Sequence, residues 1–259
     1  MLSKEKIKES FSKHANTYDI ASDFQQEAGR NLINMISPLG IGKNMILDVG
    51  IGSGKVTQRL AEVLRRKVYG CDIAWGMVSF AKQHTNQIVV NQADAEGLPF
   101  KDDIFNIAFS NITYQWVSDL NKAFLEVKRV LKKGGRFYFS ILVKGSLKEL
   151  YETLGEFFSA GIFMDFLPPA GSIRKTVKET DFAIIWLKDM TIRRNYKSCF
   201  DLLKSIKMVG GGRISETNLF GMGKRKLFFN MIESYDMKFN EGDEVFATYK
   251  IILGCVEKE

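Results

Sequence analysis

Three glycines at alternate positions, Gly50, Gly52 and Gly54, follow directly on the apolar run Met45-Ile46-Leu47-Asp48-Val49. A buried strand that breaks into a glycine-rich turn and then a helix is how an open α/β sheet receives a nucleotide-like ligand. Glycine lets main chain approach such a ligand closely. Acids recur behind this turn: Asp48 at the end of the first strand, Asp72 after Lys67-Val68-Tyr69-Gly70-Cys71, and Asp94 after a third strand. An acid in the place of Asp72, about 20 residues after the glycines, can accept from both hydroxyls of a ribose; its alternative role is to cap the following helix. A dinucleotide fingerprint would need a third glycine where Lys55 stands, so a nicotinamide oxidoreductase is disfavoured.

The elements that must position these residues are legible from periodicity. Residues 4–15 and 20–36 read as two helices, closed by Pro38, Gly40 and Gly42. Strands are predicted over 44–49, 67–71, 87–91, 104–110 and 136–143, with helices near 54–65, 75–83 and 120–132 between them. That alternation implies right-handed βαβ units on a parallel sheet. Beyond Val143 the rhythm changes to a helix near 146–160, an extended corner at Phe166-Leu167-Pro168-Pro169, a strand over 182–195 and a helix over 198–208. Gly210-Gly211-Gly212 then breaks the chain before a helix near 223–233 and a last strand over 244–254. The two late strands read as an antiparallel edge pair carrying a helical insertion. The chain is taken as a single domain over 1–259, with a helical cap (1–40), a ligand-binding core (44–143) and substrate or lid segments with the last two strands (144–259).

Composition narrows the classes. The chain has 259 residues, 45% of them hydrophobic, which suits a full globular core. It has no apolar run of about 18 residues and no apolar leader, so neither a membrane partner nor secretion is expected; the reading is cytoplasmic and monomeric. Cys71, Cys199 and Cys255 are isolated, so no metal site and no disulfide framework are predicted. The net charge of +7 favours an anionic partner, and much of it is local: Lys188, Arg193, Arg194, Lys204, Lys207 and Arg213 through Lys226 outnumber the acids around them. The competing reading is a set of solvated helix faces.

The glycine turn with its preceding acid resembles motif I of class I S-adenosylmethionine-dependent methyltransferases. That resemblance implies a Rossmann-like α/β fold: a doubly wound, mostly parallel sheet of seven strands with the last reversed, N-terminal helices and a helical insertion before the last strand. It implies S-adenosyl-L-methionine as cofactor and S-adenosyl-L-homocysteine as product. Asp48, Gly50, Gly52 and Gly54 would then meet the amino-acid end and ribose, Asp72 the ribose, and Ile73 and Met77 the adenine face, unless the last two are core. Asp94 would accept from the adenine amine beside the Ala95 amide, and Ser110 and Asn111 would face the amino-acid end. Asn106 departs from the aspartate many relatives carry, at a mid-strand position.

A narrower resemblance runs through Phe11-Ser12-Lys13-His14-Ala15, Tyr18-Asp19, Gln115-Trp116, Gly145-Ser146-Leu147, Phe166-Leu167-Pro168-Pro169 and Thr248-Tyr249. These segments resemble the malonyl-[acyl-carrier-protein] O-methyltransferases of biotin synthesis across nearly the whole chain. The resemblance implies methylation of the free carboxylate of a malonyl thioester on an acidic acyl carrier protein. Such a carboxylate is ionised at neutral pH, so the chemistry needs alignment and desolvation rather than a base. Tyr18, Gln115 and Trp116 are the candidate catalytic residues, with Asn111 beside them: Tyr18 over the sulfonium or at a helix-end packing site, Gln115 donating to a carboxylate or solvated, Trp116 walling the acyl group or anchoring the core. His14 is either a base for a hydroxyl acceptor or a helix-surface histidine. Lys144, Arg174 and Arg213 are possible anchors for a carboxylate or phosphopantetheine. Charge reversal at Arg193 and Arg194 is expected to impair a carrier-bound substrate but not a short thioester. Alternatives are a methyltransferase for another acid, a quinone or a phenol, and a non-catalytic adenosylmethionine-binding regulator. A nucleic-acid partner is not expected, since no base-holding Asn-Pro-Pro-Tyr motif or basic tail is present.

Overall fold

The computed structural model describes residues 3–36, 45–85, 88–158, 167–210 and 225–259. Outside these lie Pro38, Gly40, Gly42, Asn44, residue 87, residues 159–160, Phe166, Gly211, Gly212, Arg213 and residues 223–224, all of which figure in the sequence expectations.

Strands β1 (Ile46–Val49), β2 (Val68–Asp72), β3 (Ile88–Gln92), β4 (Phe105–Asn111) and β5 (Leu131–Leu142) are parallel neighbours in the order β3-β2-β1-β4-β5. The sheet continues through β8 (Glu244–Glu257), antiparallel to β5, and ends on β6 (Ala183–Tyr196), antiparallel to β8. The two-residue β7 (Asn240–Glu241) pairs with the start of β8. The chain therefore winds outward from β1 in one direction and from β4 in the other. The crevice between their carboxyl ends is the switch point where open α/β sheets bind ligands.

Alternation along the strands builds two cores. Ile46, Ile107 and Phe109 face one side with Leu32 of helix α2 (Asp23–Asn34) and Leu60 of α3 (Lys55–Leu64). Leu47, Val49 and Ala108 face the other with Phe124 and Val127 of α5 (Leu120–Val130). Helix α4 (Trp75–His84) covers β2 and β3. The first core also takes in α6 (Lys148–Phe157), α8 (Cys199–Met208) and α9 (Arg225–Lys238) through Leu150, Leu202 and Met231. Among the described residues no helix is long and apolar enough to cross a membrane. Cys71, Cys199 and Cys255 are free and buried.

Three elements differ from expectation. The first helix, α1 (Lys4–Ala21), runs six residues further than its apolar spacing indicates and turns at Ser22 into α2. Its extension is held from outside: Tyr18 packs against the cluster of Ala15, Ala74 and Met77 at the start of α4, and Ser53 Oγ donates to Asp19 Oδ1 at 2.5 Å. Helix α7 (Ala170–Glu179), which the sequence reading lacked, starts after extended Pro169 and buries Ile173, Thr176 and Val177. The turn Lys133-Gly134-Gly135 is a bulge inside β5, where the register against β4 shifts between Phe105 and Ile107. Asn106 holds β4 to β1, its Oδ1 accepting from Met45 N at 3.1 Å.

Candidate active site

The glycine turn after β1 is built for closeness. Gly50, Gly52 and Gly54 all have positive φ (82°, 55° and 86°), which L side chains rarely adopt. Gly50 N and Ile51 N donate to Cys71 O, tying the turn to β2. A Cβ on Gly50 would sit 2.2 Å from the Thr113 side chain, so the turn and the chain after β4 interlock there. Gly52 N donates to Asp72 Oδ2 at 3.0 Å, and Ala74 N donates to Oδ1 at 2.9 Å. Both carboxylate oxygens of Asp72 are thereby fixed, with lone pairs left for a diol. Burial pushes its pKa up against these hydrogen bonds.

Asp48 is the most confined acid, 2% exposed. Its Oδ2 accepts from Thr57 Oγ1 at 2.6 Å, while Oδ1 has no partner among the described residues. Burial, with a smaller push from the Asp72 charge, raises its pKa to about 7 against the Thr57 hydrogen bond. Asp94 behaves in the opposite way. Burial would raise it, but Lys4 Nζ at 2.7 Å and Glu96 N at 2.9 Å outweigh that and hold it below the usual carboxylate range. Lys4 also meets Glu96 Oε2 at 2.9 Å, so the start of α1 is latched over the loop after β3.

These groups line a cavity with about 1000 Å³ of empty space, roofed by α1 and α2 through Phe11, Tyr18 and Gln25. Tyr18 lies across the turn, its ring 3.7 Å from where a Gly52 Cβ would stand. Burial and the nearby Asp72 and Asp19 charges keep its phenol protonated. Ile73, Ala95 and Asn111 line the same space. Met77 and Ser110 do not. Met77 packs under α1 with Ala15, and Ser110 Oγ is turned to Val49 O at 2.7 Å. Asn111 spends its amide on Gln25 O (2.9 Å) and its oxygen on Ser140 Oγ (2.7 Å), so it anchors α2 to β4.

A second cavity, of about 820 Å³, adjoins the first and shares Phe11, Tyr18, Gln25, Ile112 and Trp116 with it. Its remaining wall is aromatic and aliphatic, including Phe24, Tyr151, Tyr196 and Tyr249. Among the described residues none of its lining side chains is charged. Trp116 stands between the two spaces, edge-on to Phe11 with ring centroids 5.5 Å apart. Gln115 is 7% exposed; its Nε2 donates to Ile112 O at 2.8 Å and its Oε1 is unpartnered. One of its two amide N–H groups is spent on Ile112 O, which leaves the second for the expected donation to a carboxylate.

Several sequence-predicted residues stand apart. His14 lines neither cavity, and its Nδ1 meets Ser10 O one turn back at 2.8 Å. Arg174 pairs with Asp189 at 2.6 Å near the surface. Lys144 follows β5 and lines neither cavity. Arg193 pairs with Glu241 at 2.7 Å and stacks on Phe246, and Arg194 reaches Glu27 at 3.0 Å and Asp23 at 3.2 Å. Both arginines are thus ion-paired within the chain, Arg193 while still partly exposed. Lys4, Asp19, Thr113 and the four aromatics of the second wall, Phe24, Tyr151, Tyr196 and Tyr249, were not singled out as site residues. Only α1 offered a signal, since Ile7, Phe11 and Tyr18 recur on one helical face.

The strand order, with β8 reversed between β5 and β6, and the site at the β1–β4 switch point define a class I Rossmann-like methyltransferase. The methyltransferase domain family matches residues 47–139. A putative methyltransferase from Bacillus halodurans superposes with a TM-score of 0.60 at 20% identity, over 90% of this chain and 99% of its own. The chain belongs to the malonyl-[acyl-carrier protein] O-methyltransferase family: it is 34% identical to the Yersinia pestis protein of that name, over 99% of this chain and 92% of the relative. It is 28% identical to the Geobacter sulfurreducens protein of that name, over 98% of each.

Proposed function

We propose that the protein methylates the free carboxylate of a malonyl thioester carried on acyl carrier protein, using S-adenosyl-L-methionine. The observation that carries this reading is the second cavity, uncharged among its described lining residues, meeting the acid-lined first one at Tyr18, Phe11 and Trp116.

The residues of the first cavity fit the cofactor. Asp48 Oδ1 is a buried acceptor lacking a donor, which suits an ammonium directly or through water. Asp72 suits the ribose hydroxyls, Asp94 with the Ala95 amide suits the adenine edge, and Ile73 suits its face. When bound, the cofactor supplies a methyl group on a positively charged sulfur. The chain's own task is then positioning. Tyr18, neutral and fixed over the glycine turn, bounds the space between the cavities. Trp116 and Phe11 narrow the passage and exclude water from it. An ionised carboxylate needs no base, in keeping with the removal of His14 from the site. Both reacting charges vanish in the products, so a wall whose described side chains carry no charge favours the transfer over the separated charged reactants.

Docking of the carrier is assigned to α8 rather than to Arg193 and Arg194. Ser205, Ile206 and Val209 of this helix line the second cavity, while Lys204 and Lys207 are exposed and hold no ion pair among the described residues. An acidic carrier would be steered to that face.

The test is incubation with labelled adenosylmethionine and, in parallel, malonyl-carrier protein, a free malonyl thioester, a quinone panel or RNA. Label on the malonyl carrier and thioester alone is the expected result. Label on a quinone or RNA, with none on either malonyl substrate, would overturn the reading.

A further inference from the structure

The second cavity poses a recognition problem: a carboxylate entering it meets no lysine, arginine or histidine among the described lining residues. An anion taken out of water needs hydrogen-bond donors in place of its hydration shell. Gln115 spends one amide N–H on Ile112 O, and its oxygen, like Gln25 Oε1, finds no donor among the described residues, so each amide offers an anion a buried acceptor as well as a donor. Tyr18 stands at the boundary with the first cavity, its ring against the glycine turn. One feature of the wall differs. Tyr196 of β6 and Tyr249 of β8 meet hydroxyl to hydroxyl at 2.7 Å, and both line the cavity. Ser205 stands beside them, its own hydroxyl proton given to Leu202 O at 2.8 Å. Two phenols hold two protons: one lies between them, and the other is shared with Ser205, which has given its own proton away and yields its place to a stronger anionic acceptor.

We infer that the Tyr196–Tyr249 hydroxyl pair is the carboxylate-recognition element of the acceptor site, donating to the malonyl oxygen that is not methylated. This rests on the function proposed above and names how its substrate is selected. Tyr249 is placed firmly: its ring stacks on Phe24 with centroids 4.1 Å apart, and it lies on β8 opposite Ile192 of β6. Burial lifts both phenols above their ordinary pKa, so they remain proton donors through neutral and mildly alkaline pH. Neutral donors also suit the chemistry better than a guanidinium. An ion pair would stabilise the reactant carboxylate and lose that stabilisation as its charge disappears, whereas a phenol still bonds the ester carbonyl.

The experiment compares wild type with Tyr196→Phe, Tyr249→Phe and the double variant, using malonyl-carrier protein and a short malonyl thioester. Adenosylmethionine affinity is measured by calorimetry, and acetyl thioester serves as a competitive inhibitor without a carboxylate. Loss of a hydrogen bond to a charged group is expected to raise KM for both malonyl substrates by about 10- to 100-fold. Cofactor Kd and the acetyl thioester inhibition constant should stay within about 2-fold, and the double variant should be less than additive because the hydroxyls act together. Unchanged KM in both single variants would overturn the inference, as would an equal weakening of acetyl thioester, which would make the pair a shaper of the cavity. If one variant loses its fold, the other single variant decides by the same readout. Wild type that transfers methyl only to other acceptors would sink the proposed function, an outcome distinct from an active wild type with indifferent variants.

Discussion

Asp48 sets a pH dependence with a definite sign. Its pKa rises from 3.8 to about 7 on folding, so between those values the folded protein holds a proton that the unfolded chain releases. Stability in the absence of ligand therefore falls as pH rises through that window, and Asp72, shifted the same way, adds to the slope. An ammonium ligand reverses the preference, because it binds the ionised form. Calorimetric titration from pH 6 to 7.5 should show adenosylmethionine binding tighten, with proton release at the acid end; Asp48→Asn should abolish the trend and weaken binding by roughly 10-fold or more. Lys4 sets a second residue-scale test. Its ammonium occupies Asp94, the position assigned to the adenine edge. Lys4→Met should raise the Asp94 pKa, readable by carboxyl NMR, and change cofactor affinity without altering the acceptor KM.

At the scale of elements, α1 roofs the site, and Gly76 sets how closely it can sit on α4. Gly76 N donates to Ser12 Oγ at 3.1 Å, and a Cβ there would stand 2.4 Å from Ser12 O. Gly76→Val should lift α1, weaken cofactor binding and expose Met77, with faster amide exchange over 4–21 as the measured sign. On α8, Lys204→Glu with Lys207→Glu should raise KM for malonyl-carrier protein about 10-fold at low salt and leave the short thioester unaffected. The difference should shrink as ionic strength rises. These elements also mark where sequence reading reached and where it stopped. The glycine turn, Asp72 and Asp94 were legible because each follows a strand whose pattern is local. Helix α7 was missed because it buries one narrow stripe, Ile173-Thr176-Val177, in an otherwise polar segment. The engagement of Arg193 and Arg194 was invisible for another reason: Glu241, Glu27 and Asp23 lie far away in sequence, and only the β6–β8 pairing and the α2 seat bring them near. The second cavity draws its wall from α1, α2, β6, α8 and β8, so no single stretch announced it.

At the scale of the molecule, the first cavity joins α1, the ends of β1 and β2, and the loop after β3 into one ligand-linked unit. Ligand at 100 times its Kd adds about 2.7 kcal/mol to folding. For a chain of this size that corresponds to a melting temperature raised by about 5–10 °C. The buried thiols offer a way to watch this unit open. Burial drives Cys255 up to about 11 and Cys71 and Cys199 higher still, so none offers a thiolate to an alkylating reagent while the protein is closed. Cys71 is the informative one, because its carbonyl is what the glycine turn hangs from. Mass-resolved alkylation would thus turn an inert sulfur into a clock for the turn's opening, running slower at Cys71 with adenosylhomocysteine present while Cys199, on the far helix, keeps its own time.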